Sequence, residues 1–124
     1  MKKIAIVGSR KFENYEFFKE FIDEYLQENT DNQIHFVSGG AIGTDSLAEK
    51  YAYEEEIPID IYYPDWETFG KSAGRIRNQE IIDTADELIA FWDGISPGTK
   101  MTISFAKKKG IPYKVVKIDG LLIY

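Results

Sequence analysis

The run Lys3-Ile4-Ala5-Ile6-Val7 is unbroken and β-prone, and Gly8-Ser9 closes it, the pattern of a strand buried on both faces. The period then changes. Phe17, Phe18, Phe21, Ile22, Tyr25 and Leu26 recur at helical spacing, with Glu16, Glu20, Asp23, Glu24 and Glu28 mostly on the opposite side and Asn14 placed to cap the start. A second strand is predicted over Ile34 to Ser38, and Leu47, Ala48, Tyr51 and Ala52 mark a second helix. Ile59 to Tyr63, bracketed by Pro58 and Pro64, reads as a third strand, followed by a loop over 65–72 and a third helix from about Gly74 to Thr84. Glu87 to Trp92 reads as a fourth strand ending at Asp93-Gly94. In the fourth helix Pro97 suits the first turn, Gly110 suits the C-terminal cap, and Lys107, Lys108 and Lys109 complement the negative end of the dipole. Tyr113 to Ile118 completes the set as a fifth strand.

Strands alternating with helices at this spacing imply a Rossmann-like three-layer α/β/α sandwich, because each right-handed crossover returns the chain to the same end of a mostly parallel sheet. The expected strand order is 3-2-1-4-5, with the switch between the first and fourth strands. Loops 8–14, 38–45, 64–74 and 93–98 then share the carboxyl edge, where open α/β sheets bind ligands. Leu121-Leu122-Ile123-Tyr124 is an apolar tail after a finished sheet; it predicts either an extra C-terminal edge strand or burial in a partner, hence a homodimer.

A chain of 124 residues fits one domain spanning 1–124, without internal repeats or linkers. Cysteine is absent, which excludes disulfides and thiolate metal sites. The N-terminal run is too short for a signal peptide and nothing approaches the length of a bilayer span, so the expectation is a cytoplasmic protein with no membrane partner. The sole histidine, His35, sits inside a strand without neighbouring ligand types, so neither a metal nor a cofactor is expected. The net charge of −6 disfavours nucleic acid as a partner unless a basic patch overrides it. Segment 13–31 carries seven acids and one lysine, whereas all three arginines, Arg10, Arg75 and Arg77, lie in or beside glycine-containing connections. Arginine's planar fork suits bidentate binding of phosphate or carboxylate.

Ser38-Gly39-Gly40-Ala41-Ile42-Gly43-Thr44-Asp45 joins the second strand to the second helix. Glycines at that junction either make a tight turn or let backbone N–H groups approach an anion at a helix N-terminus. No Gly-Lys-Ser/Thr follows, so this is not a Walker loop. Ser96-Pro97-Gly98-Thr99 opens the fourth helix in a similar way, and its hydroxyls serve either as caps or as ligands of the same anion. Gly8-Ser9-Arg10 is a third junction of this kind. Gly74-Arg75-Ile76-Arg77-Asn78 puts two cations at a helix N-terminus against the macrodipole, which an anionic ligand or an ion pair with Glu80 or Asp83 would offset. Residues advance ~100° each along a helix, so Arg75 and Arg77 point about 200° apart and only one is expected to face the cavity. Asp45 and Asp93 are candidates for ribose binding, cation binding or general acid/base work, with turn formation as the simpler role. Trp66 and Trp92 are candidates for base stacking or for lids on the core.

Together Val7-Gly8-Ser9-Arg10, the 38–45 loop, Ala73-Gly74-Arg75-Ile76-Arg77-Asn78 and Phe91-Trp92-Asp93-Gly94 through Gly98-Thr99 resemble the YspA/YpsA-related branch of the SLOG superfamily, over nearly the whole chain. That superfamily includes the LOG phosphoribohydrolases, which cleave N-glycosidic bonds of nucleoside monophosphates, the single-strand-binding DNA-processing protein A, and sensors of nucleotide-derived signals. The resemblance implies a Rossmann-like fold with a nucleotide-type ligand as partner. It matches Gly39, Gly40 and Gly43 to the family's glycine loop, Arg77 to its helix arginine, and Gly98-Thr99 to the end of its second phosphate loop; Arg75 stands where this branch often has other residues. One departure bears on chemistry. In LOG enzymes a catalytic glutamate follows the Gly-Thr by two positions, and here that residue is Met101, with Thr102 next. A thioether cannot stabilise an oxocarbenium-like transition state or move a proton. The implied activity is therefore nucleotide binding, with phosphoribohydrolysis through Asp45 or Asp93, and single-stranded nucleic-acid binding, as alternatives.

Overall fold

The computed structural model describes residues 1–28 and 33–118, and five parallel strands form its centre. They are β1 (Lys2–Gly8), β2 (Ile34–Ser38), β3 (Ile59–Ile61), β4 (Glu87–Trp92) and β5 (Tyr113–Lys117), in the order β3-β2-β1-β4-β5. The helices are α1 (Tyr15–Gln27), α2 (Thr44–Glu54), α3 (Trp66–Phe69), α4 (Ala73–Thr84) and α5 (Pro97–Lys109). The order 3-2-1-4-5 is the expected one, and its switch lies between β1 and β4, where Gly8 registers with Phe91. Residues 121–124, and with them the expected edge strand and dimer contact, lie outside the described residues.

Period-two alternation along buried strands builds two cores, one on each face of the sheet. Ile4, Ile6, Phe36, Ile89 and Phe91 face α1 and α2, meeting Phe18, Ile22, Tyr51 and Ala52. Ala5, Val7, Val37, Leu88 and Ala90 face α4 and α5, meeting Ile81, Ile82, Ile103 and Ala106. Phe12 belongs to the first core although it sits in the loop after β1, stacked on Phe91 at 5.5 Å between centroids. Burying one such ring contributes about 1.5–3 kcal/mol. Phe12 thereby anchors the loop Ser9–Lys11 at the carboxyl edge, which links the packing to the site.

Two local expectations are corrected. The connection 65–72 is not a plain loop: it holds α3 and a 3₁₀ turn over Gly70–Ser72. Asp65 caps α3 by accepting from the Thr68 N–H at 3.1 Å, a turn signal that an apolar-period reading does not detect. The third strand stops at Ile61 instead of Tyr63. The Tyr62 N–H still donates to the Ser38 carbonyl at 2.8 Å, but the Tyr62 carbonyl receives Arg77, and Pro64 has no N–H to continue a ladder. No helix among the described residues is long and apolar enough to cross a membrane.

Candidate functional site

The loops after β1 and β2 are locked to each other at the carboxyl edge. The Ser9 carbonyl accepts from the Thr44 N–H at 3.1 Å and from Thr44 Oγ1 at 2.9 Å. Gly43 has φ +77°, and a Cβ there would lie 2.5 Å from the Ser9 carbonyl oxygen, so a side chain is excluded both by conformation and by space. Gly40 packs against the Tyr63 ring, and Ser38 is fully buried. Ser38, Gly40, Gly43 and Thr44, expected to touch a ligand, lie outside the cavity lining; Gly43 and Thr44 instead join α2 to the β1 loop.

Gly39 does line the cavity, and its neighbour there is Arg77. Arg77 is only 8% exposed; its Nη1 donates to the Gly39 carbonyl at 2.5 Å and to the Tyr62 carbonyl at 3.4 Å, and its Nε donates to Asn78 Oδ1 at 2.8 Å. Nη2 makes no hydrogen bond to a described residue. Burial pulls the Arg77 pKa down and Arg10 adds to this, while Asp45 opposes it; an arginine stays protonated regardless. Arg75, in the first turn of α4, is exposed but also lines the cavity, as do Gly74 and Asn78. The expectation that only one arginine would face the cavity fails here, because the cavity wraps around the start of α4 and a long side chain reaches it from the rim.

Asp45, in the first turn of α2, is 7% exposed and lines the same cavity. Its Oδ2 accepts from the Ala41 N–H at 3.0 Å. Desolvation raises its pKa to about 6, against the lowering effects of the Ala41 N–H, the Arg77 charge and the Ser38 hydroxyl. The Ser38 hydroxyl is close enough to favour the charged carboxylate yet makes no well-directed hydrogen bond of its own. Asp93 behaves differently. It accepts from the Ile95 N–H at 2.8 Å, the Ser96 N–H at 2.7 Å and Ser96 Oγ at 2.9 Å. Burial tends to raise its pKa, but these donors hold it below the usual carboxylate value. Asp93 thus forms the turn, the simplest of its expected roles, and it also lines the cavity.

That turn presents the N-terminus of α5. Ser96 uses its hydroxyl on Asp93, so α5 begins without a side-chain cap, and Gly98 and Thr99 of its first turn line the cavity. The Thr99 hydroxyl has no partner among the described residues. The cavity measures about 570 Å³ and is also lined by Gly8, Ser9, Arg10, Lys11, Ile95 and Met101. None of Arg10, Lys11, Arg75 and Arg77 forms an ion pair with a described acid, so Glu80 and Asp83 do not offset the α4 cations. Lys11 and Ile95 were not singled out from the sequence. Only the adjacency of Lys11 to Gly8-Ser9-Arg10 and the position of Ile95 inside the 93–98 loop could have signalled them. Trp66 is 55% exposed on α3 and does not line the cavity, because the capped turn at Asp65 sets it behind Gly74. Trp92 donates Nε1–H to the Ser96 carbonyl at 3.1 Å, a structural bond. Among the described residues no group of three or more His, Asp and Glu side chains is arranged to hold a metal ion.

A sequence model of the YspA, cpYpsA-related SLOG family matches residues 2–69, more than half of the chain. The chain belongs to this SLOG family. Gene 61 protein of Mycobacterium phage D29 is 32% identical over 118 residues, covering 90% of this chain and 94% of the phage protein. Among solved structures, DNA processing protein A (DprA) from Streptococcus pneumoniae superposes with a TM-score of 0.74 at 18% identity, covering 93% of this chain. This chain spans half of that one, and at such identity the likeness establishes the fold. The family match covers the loops after β1 and β2, whereas Arg77 and the α5 N-terminus of this SLOG chain lie beyond the matched residues.

Proposed function

We propose that this SLOG protein binds a nucleotide or nucleotide-derived small molecule in the cavity at the carboxyl edge, as a sensor, sequestering protein or accessory subunit. One observation carries the reading: four cationic side chains without ion-pair partners among the described residues line a cavity that also receives the uncapped N-terminus of α5. Cations set beside a helix N-terminus repel its dipole, and an anion between them removes that cost. A volume of about 570 Å³ accommodates a nucleotide-sized molecule. Met101 lines the wall where a LOG-type glutamate would stand, and Asp93 is committed to its turn, so binding without turnover is favoured. The test is a thermal-shift panel of AMP, ADP-ribose and cyclic nucleotides. At least one raises the unfolding temperature, by more as its concentration rises above its Kd; a flat response from all of them speaks against the reading.

A second reading, an N-glycosidase acting on nucleoside monophosphates, is favoured by Asp45 alone, whose pKa of about 6 suits general acid/base work near neutrality. Release of ribose 5-phosphate from a panel of nucleoside monophosphates separates it from pure binding. Single-stranded nucleic-acid binding has only the name of the DNA-processing neighbour behind it and a net charge of −6 against it.

A further inference from the structure

Most groups around the cavity whose polar atoms are free are donors: Arg10, Lys11, Arg75, Arg77 and the first N–H groups of α5. Asp45 is the exception. Its Oδ2 is held by the Ala41 N–H, but Oδ1 makes no hydrogen bond to a described residue. The nearby Ser38 hydroxyl, fully buried, favours the charged carboxylate but completes no hydrogen bond by distance and angle. Arg77 attracts the carboxylate without ion-pairing to it, since its Nη1 is spent on the Gly39 and Tyr62 carbonyls. A carboxylate that is nine-tenths buried with one oxygen open is costly to keep, and a ligand donor would satisfy it.

The same carboxylate repels phosphate. An anion is therefore drawn to the α5 end of the cavity, where Gly98 and Thr99 lie with Asn78 beside Gly98, and away from the α2 end, where Asp45 lies. A ligand matching both ends carries an anion on one side and hydroxyl donors on the other. Resting on the nucleotide reading, we infer that Asp45 Oδ1 accepts a hydrogen bond from a sugar hydroxyl, so that the site selects ribose with its free 2′,3′-diol over deoxygenated sugars. The phosphate then sits against the start of α5. This assignment gives the ligand a direction and separates ribonucleotides from DNA as occupants.

Calorimetric titration of the wild-type chain with AMP, 2′-deoxy-AMP and 2′,3′-dideoxy-AMP tests it without requiring any variant to fold. A charged hydrogen bond lost together with its buried acceptor's only partner predicts roughly ten- to hundredfold weaker binding of the dideoxy compound. In Asp45→Asn that ratio shrinks towards one, because the neutral amide neither demands the donor nor repels its absence. Equal wild-type affinities for AMP and 2′,3′-dideoxy-AMP overturn the Asp45 assignment and leave the nucleotide site standing. Silence from all three compounds, with the protein folded, overturns the assignment of a ribonucleoside monophosphate to this site, whereas the nucleotide reading itself falls only if ADP-ribose and the cyclic nucleotides are silent as well.

Discussion

Gly39 and Arg77 are fitted to one another: the Gly39 carbonyl accepts from Arg77 Nη1 at 2.5 Å, and a Cβ on residue 39 would lie 2.7 Å from that same nitrogen. The glycine is what lets a buried guanidinium rest against the end of β2. Gly39→Ala is therefore expected to destabilise by about 1–3 kcal/mol through overpacking. In an Arg77→Ala background the same change should cost much less, since the clashing group is gone. Urea unfolding of the four proteins of this cycle measures the coupling, and additive effects would contradict the fit.

Asp45 yields a pH prediction with a definite sign. Its pKa is raised from 3.8 to about 6 on folding. Such a carboxyl contributes stability that is fully present below the unfolded value and is lost as pH rises through the folded one. Asp45→Asn removes the loss while its amide oxygen can still accept from the Ala41 N–H. The variant should match the wild type near pH 3.5 and exceed it at pH 8 by an amount of up to about 3 kcal/mol. Unfolding curves at the two pH values decide it; an Asn variant less stable than wild type at pH 8 would show that the charge is compensated.

Asp93 behaves in the opposite sense. Replacing it with alanine leaves the Ile95 and Ser96 N–H groups and the Ser96 hydroxyl without their acceptor. A loss of roughly 1–2 kcal/mol is expected, accompanied by weaker ligand binding, because the same turn sets the start of α5. This stabilisation is present above the unfolded carboxylate pKa and disappears as pH falls through the lowered folded value. Differential scanning calorimetry at neutral and acidic pH follows both effects; a variant with unchanged melting temperature at neutral pH would remove Asp93 from the frame.

Apolar contact with a bound base is expected from Ile95, which is 83% exposed and lines the cavity, and not from Trp66. Ile95→Ala should weaken AMP binding by about 1 kcal/mol, whereas Trp66→Phe should leave it unchanged. Parallel titrations check the pair, and the reverse order would return the stacking role to Trp66.

The fold was largely legible because β1 and β4 carry unbroken apolar runs, α1 and α2 show a helical period, and Pro97 and Gly110 mark the ends of α5; strands and helices alternating in this way suffice for a parallel sheet. The cavity wall was legible where residue chemistry is unusual for its place, as with Arg77 in the first turns of α4. It was harder to read where one residue type serves two purposes. Gly43 and Thr44 look the same in sequence whether they face a ligand or, as here, the Ser9 carbonyl. Nothing local to Ile95 distinguishes an apolar side chain at a cavity mouth from a loop residue, and the short helix at Trp66 rests on a single capping bond from Asp65.

Isothermal titration of the wild type and Arg77→Ala with AMP, ADP-ribose and cyclic nucleotides addresses the central claim most directly. Saturable binding of at least one of them to the wild type is expected, weakened in the variant by roughly 1.5–3 kcal/mol, the value of a charged hydrogen bond. Absence of heat from every compound, or equal affinity in the two folded proteins, would contradict it.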